Sequence, residues 1–229
     1  MKNFMRKRIS LMIPTLLIVT GLSMLIYVAA SGYAITVNAR QTIGIYQAGI
    51  DQLDDETCER LLADAMAYNE GLAAMGPHLR DPKEEEMEEY FSLMNPLDTG
   101  IIGYVEIEKI DISLPIYHSA SDEVLKTGVG HLPGSSLPVG GESAHCIISA
   151  HREFGLFKDL DRLEEGDAFS LHILHETLTY EVDQISTILP IESYKLRIET
   201  GQDYCTLMTC TPYGSTSHRL LVRGHRIIS

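Results

Sequence analysis

Basic residues are scarce in this chain: 18 lysines and arginines stand against 32 aspartates and glutamates, a formal net charge of −14. Phosphate backbones need a basic surface, so a nucleic-acid partner is excluded. Charge of either sign is missing altogether between Arg8 and Arg40. Only four cysteines occur, Cys58, Cys146, Cys205 and Cys210. Their spacing fits neither a dense disulfide framework nor a C-x-x-C metal site. No His/Cys/Asp cluster has metal-ligand spacing, and no glycine-rich phosphate loop precedes a helix. The chain lacks internal repeats and low-complexity tracts. What remains is an ordinary globular composition, 45% hydrophobic and 22% charged over 229 residues, enough for one packed domain with additions.

The uncharged stretch is informative. Lys2, Arg6, Lys7 and Arg8 precede it, and Leu11 to Ala30 is nearly all apolar. Roughly 20 apolar residues cross a bilayer as a helix. A basic flank is retained on the cytoplasmic side, so the chain after residue 40 is expected outside the cell. A buried core helix and a cleaved signal peptide compete with this reading. Val28-Ala29-Ala30-Ser31-Gly32 has small residues of the kind signal peptidase accepts, but the apolar run exceeds the ~7–15 residues of a signal core.

Residues 41–95 read as helical and acidic, with Leu61, Ala65 and Tyr68, and Leu62 and Met66, at helix spacing. Gly76-Pro77 ends that pattern, and Lys83 to Tyr90 predicts a short acidic helix. From residue 98 the periodicity changes to two. Strands are predicted around Tyr104–Glu108, Ile110–Ile116, Ala144–Ala150, Phe169–Ile173, Leu178–Val182, Tyr204–Thr209 and Arg219–Val222. Leu156, Leu160 and Leu163 suggest one short helix, and the glycines of 128–134 and 140–141 read as turns. About eight short strands with little helix imply a barrel or a sandwich. Cys146 and Cys205 lie in apolar runs and read as small core residues.

Cys210 is different. The apolar strand Thr206–Thr209 ends in it, and Thr211-Pro212-Tyr213-Gly214 turns the chain at once. The thiol therefore sits where a sheet opens to solvent. The next strand begins Ser217-His218-Arg219, so a hairpin would return Arg219 beside Cys210, where its permanent charge suits a thiolate or an oxyanion. His151 ends another buried run in the same manner. An unperturbed thiol with a pKa near 8.5 is only ~3% ionised at pH 7, so a nucleophilic cysteine needs such partners. A packed small side chain is the competing reading of Cys210, and His131, His218 and His225 are rival bases.

Taken together, these strings resemble the sortase family. Thr206-Leu207-x-Thr209-Cys210 followed by Arg219 looks like its TLxTC strand and arginine strand. Leu220 to Arg226, Leu114-Pro115-Ile116-Tyr117-His118, Gly128 to Gly141, and His151 before Leu156-Phe157-x-Asp159-Leu160 extend the likeness over roughly residues 98–227. The pattern is most similar to class C, the pilin-polymerising sortases. That resemblance implies a mainly β chain: an eight-stranded sortase-type barrel over 98–229, a helical arm over 36–97, a transmembrane anchor over 9–35 and a cytoplasmic tail over 1–8.

It also implies a cysteine transpeptidase that needs no cofactor or metal, at the Gram-positive cell surface. Its substrates would be pilins or surface proteins bearing LPxTG-like sorting signals, cleaved between Thr and Gly and passed to a pilin lysine. A housekeeping enzyme that attaches proteins to peptidoglycan, and a non-catalytic pilus scaffold, are the alternatives. Cys210, His151 and Arg219 take the catalytic positions, with Thr209 assisting the oxyanion. Arg80-Asp81-Pro82-Lys83 parallels the family's Asp-Pro-aromatic lid motif, with Lys83 in place of the aromatic. Class C members usually carry a second hydrophobic segment after the barrel, and none follows here before Ser229.

Overall fold

The computed structural model describes residues 2–152 and 156–227; among residues 2–33 it describes the side chains of 14, 16–24, 26 and 27. The chain forms two compact units, residues 1–38 and 39–229. Helix α1 (Lys2–Ile50) is common to both. In the first unit the side chains of Leu16, Leu17, Ile18, Val19, Leu22 and Ile26 are well exposed, and Ile35 is half-buried. Among the described residues, no helix is long and apolar enough to cross a membrane. The basic cluster at 2–8 and the small residues at 28–32 lie outside the described side chains.

In the second unit, Ala39, Ile43, Tyr46 and Ile50 make one buried stripe at the end of α1. The Tyr46 hydroxyl donates to the Ile102 carbonyl and accepts from Leu174 N–H, both at 2.9 Å, and burial pushes its pKa up to about 12. Helix α2 (Asp55–Ala74) starts at the Asp54 cap, whose carboxylate accepts from Thr57 N–H at 2.7 Å. Its buried stripe is Cys58, Ala65, Asn69 and Leu72. Met66, which the spacing also marked, faces solvent. Helix α3 (Glu84–Ser92) gathers three glutamates in its first turn, where the helix dipole favours them, and Glu86 accepts from Lys83 N–H at 2.8 Å.

Eight strands close a barrel in the order β1-β2-β3-β4-β7-β8-β6-β5. They are β1 (Ile101–Ile107), β2 (Ile112–His118), β3 (Val129–His131), β4 (Ala144–Ser149), β5 (Ala168–Ile173), β6 (Glu176–Ile188), β7 (Asp203–Thr211) and β8 (His218–Ile227). Pairing is antiparallel except for β2–β3 and β4–β7, which are parallel. Closure leaves no sheet edge, which settles barrel against sandwich.

Alternate residues fill the interior, including Val105, Ile116, Ile148, Leu171, Leu207 and Val222, with the Phe169 and Tyr180 rings stacked at 5.6 Å.

Two local expectations are corrected. Gly128 does lie in a turn, its N–H donating to the Val124 carbonyl at 3.0 Å, but Gly130 does not: Val129–His131 is strand, and Gly130 is needed because a Cβ there would stand 2.3 Å from the Ser119 carbonyl oxygen. Gly140 and Gly141 do turn, both at positive φ. Leu156, Leu160 and Leu163 are buried as their spacing suggests, but only a 3-10 turn at Leu160–Arg162 forms. A single tight turn buries all three, so no longer helix is required.

The arm is bonded to the barrel through buried polar groups. The Asn69 amide donates to the Leu137 carbonyl at 3.0 Å and accepts from Leu137 N–H at 2.7 Å. The Tyr90 hydroxyl meets His131 Nδ1 at 2.9 Å and accepts from Ser119 N–H at 3.0 Å. Asn69→Ala orphans a buried N–H and a buried carbonyl at once, which costs about 3 kcal/mol of stability. Urea unfolding checks this, and an unchanged midpoint would show the arm to be loosely attached.

Candidate active site

The hairpin of β7 and β8 sets Cys210 directly opposite Arg219. Opposed residues of an antiparallel pair share a face, with Cβ atoms ~5 Å apart. Alternation puts Met208 and Leu221 on that same outer face, while Leu207, Thr209 and Leu220 point into the barrel. Cys210 is half-buried and not disulfide-bonded. The turn joining the strands is tight: Ser215 N–H donates to the Pro212 carbonyl at 3.0 Å. Arg219 Nη1 donates to the carbonyls of Thr216 at 2.9 Å and His218 at 3.3 Å, which holds the guanidinium at the mouth of the turn.

His151 arrives from the other side of β7. The parallel β4–β7 register ends with Ser149 level with Met208, and Ala150 N–H still donates to the Met208 carbonyl at 3.1 Å. His151 follows two residues after that last pair, as Cys210 follows two residues after Met208 on β7, so the chain bearing the imidazole leaves the sheet at the same end as Cys210.

Thr209 is placed differently from the oxyanion role expected of it. Its side chain is 1% exposed and its hydroxyl donates to the Ala150 carbonyl at 2.8 Å. It points away from the face that carries Cys210. The hydroxyl instead ties β7 to the residue before His151, which is a positioning contact.

Arg152 has no counterpart in the sequence reading, yet it braces the same corner. It is buried, and its guanidinium donates to the Lys158 carbonyl at 3.1 Å, to the Thr211 hydroxyl at 3.3 Å and to Asp161. It therefore joins the chain just after His151 to the residue just after Cys210. A buried cation adjoining a candidate base is the signal that marks it.

The rival histidines lie elsewhere. His131 is fully buried and bonded to Tyr90 and to the Ser136 carbonyl. His225 pairs with Tyr204, six residues from Cys210 along β7 and so about 20 Å away. His218 neighbours Arg219 on the alternate face, and its Nδ1 meets the Ser217 hydroxyl at 2.9 Å.

Below the Cys210–Arg219 pair the outer face carries a buried apolar cluster of Ile147, Ile188, Leu196 and Leu221, against which Leu132, Met208 and Leu79 pack. Leu79 comes from the arm. Its segment is bridged to the loop after β6 by the His78–Arg197 pair, and Ile198 N–H donates to the Pro77 carbonyl at 2.8 Å. Of the expected lid motif, Asp81 is exposed and Pro82 lies beside Gly134, while Leu79 is the arm side chain that packs on this cluster. Farther down the same face is a polar cavity of about 510 Å³ lined by His145, Gln184, Ser186, Thr206 and Arg223.

Comparison with known proteins shows the family. Residues 105–227 match the family model described as the sortase domain. The chain is 44% identical to sortase C1 of Streptococcus agalactiae, with a TM-score of 0.80 over 82% of this chain and 99% of that one. It is 41% identical to a Clostridium perfringens sortase C whose structure is described with the C-terminal cell wall sorting motif, TM-score 0.72, over 83% and 100% of the two chains. Sortase D of Bacillus subtilis (strain 168) is 28% identical over 128 residues; the match spans 55% of this chain and 63% of that protein's own length.

Proposed function

The chain belongs to the sortase family, and from that premise we propose that it is a class C-type cysteine transpeptidase which joins pilin subunits covalently. The observation that carries the proposal is the direct pairing of Cys210 with Arg219 at the end of the β7–β8 hairpin, and the exit of β4 at the same end of the sheet, two residues before His151, supports it.

In this reading Cys210 Sγ attacks the carbonyl carbon of the threonine in an LPxTG-like signal. Arg219 holds the substrate and the developing oxyanion. His151 gives a proton to the departing glycine amine, leaving a thioester on Cys210. A lysine amine of the next pilin enters, His151 takes its proton, and the amine attacks the thioester and frees the thiol. Thr209 and Arg152 act by holding the ends of β4 and β7 together. Likeness to a Streptococcus pneumoniae sortase C described with pilin substrate specificity, 40% identical over 82% of this chain, favours pilin polymerisation over attachment to peptidoglycan. Residues 9–35 serve as the anchor in the cell membrane. Their uncharged sequence and the outward-facing apolar side chains of 16–26 support that role.

The decisive experiment supplies the chain with the cognate pilin and looks for a ladder of denaturant-resistant multimers. A single pilin product attached to peptidoglycan, with no ladder, would point to wall anchoring instead.

The Leu79 contact has its own test. Replacing half-buried Leu79 with serine removes roughly 1.4 kcal/mol of apolar contact, so cleavage of a short sorting peptide should rise about tenfold. Asp81→Ala is the comparison: the sequence motif locates the acceleration at Asp81, the packing at Leu79. An unchanged rate for Leu79→Ser would mean that the segment does not limit access.

A further inference from the structure

Cys146 and Cys205 meet inside the barrel. They are directly opposed on β4 and β7, and residues so opposed send their side chains to the same face. Here that face is the interior: the two are 2% and 0% exposed. Both are free thiols. Neighbouring strands stand ~4.8 Å apart, within the ~4.4–6.8 Å between Cα atoms that a disulfide spans. Two thiols so opposed on one buried face lie within the reach of such a bond. Neither has a part in the chemistry assigned to Cys210, which faces the opposite side of the sheet.

We propose that Cys146 and Cys205 are a covalent modification site, at which oxidation closes a disulfide clamping β4 to β7. The oxidant class is a small-molecule disulfide. One protein thiol gives up its proton, attacks a sulfur of the reagent and expels the first reduced thiol. The second protein thiol then gives up its proton, attacks the resulting mixed disulfide and expels the second. Two protein thiols are oxidised, one reagent disulfide is reduced to two thiols, and the two protons end on those products.

Both thiols are closed off from solvent inside the barrel, so exchange proceeds through opening of the β4–β7 seam and not in the closed barrel. Once formed, the bond closes a long loop and fixes the two strands from whose ends His151 and Cys210 extend. Its existence does not depend on the roles given to those two residues.

The full chain, held in sub-denaturing urea with glutathione disulfide and then alkylated under denaturing conditions, tests this. The expected result is a peptide cross-linking 146 to 205, with Cys58 still open to alkylation and Cys210 either alkylated or carrying glutathione. The oxidised chain should melt about 5–10 °C above the reduced one. Cys205→Ala should lose both the cross-link and the oxidant-dependent shift; if that variant fails to fold, the wild-type map decides alone. Finding Cys146 and Cys205 both alkylated, or either one bonded to Cys58 or Cys210, would overturn the proposal.

Discussion

Replacing Cys210 with alanine is expected to abolish thioester formation and to lower sorting-peptide cleavage by at least about 10⁴-fold, while the barrel remains folded. The expectation rests on position. The side chain lies at the end of β7, half-buried on the outer face, so deleting one sulfur opens no cavity in the core. Circular dichroism and the unfolding midpoint should match the wild type. Mass spectrometry with a sorting peptide reads the covalent step directly: the parent chain gains a mass confined to the peptide containing Cys210, and the variant gains none. An adduct on the Cys210→Ala chain would transfer the chemistry to another residue. Loss of the fold would show that Cys210 is structural.

The second large effect is expected at Arg219. Arg219→Lys keeps the charge and the chain position but should lose about 100-fold in kcat/KM, mostly in kcat. A guanidinium has five donors in a rigid plane. The structure uses Nη1 on the carbonyls of Thr216 and His218, which fixes the plane at the mouth of the turn and leaves other donors for a substrate oxygen. An ammonium cannot hold the turn and present a second, fixed donor at once. A loss confined to KM would assign Arg219 to ground-state binding, and wild-type rates would reduce it to a brace for the turn.

Much of this arrangement was legible in the chain. The hairpin and its pairing followed from one pattern: an apolar strand, a Pro/Gly turn and a second strand fix which residues return opposite each other. Position 151 was harder, because its partner strand lies about 60 residues away and a parallel neighbour leaves no local turn signal. The family likeness supplied that link. The misses share one cause, which is that side-chain destinations are set by the tertiary environment. Thr209 looked like a helper of the thiol because it is adjacent to it, yet adjacency along a strand means opposite faces. Leu79 escaped notice because nothing in Pro77-His78-Leu79-Arg80 reveals that an apolar cluster lies beneath it. Gly130 read as a turn because the close approach of Ser119 cannot be seen in one segment.

The strand order also says when the chemistry can first appear. Cys210 and Arg219 are nine positions apart and come together as soon as one hairpin closes. The β4–β7 seam joins segments some 60 residues apart, and the entropy of that closure must be met by contacts elsewhere in the barrel. Competence therefore coincides with completion. In the proposed chemistry a half-made barrel carries a thiol and a cation but no base, so a newly made chain remains inert until its last seam is sewn.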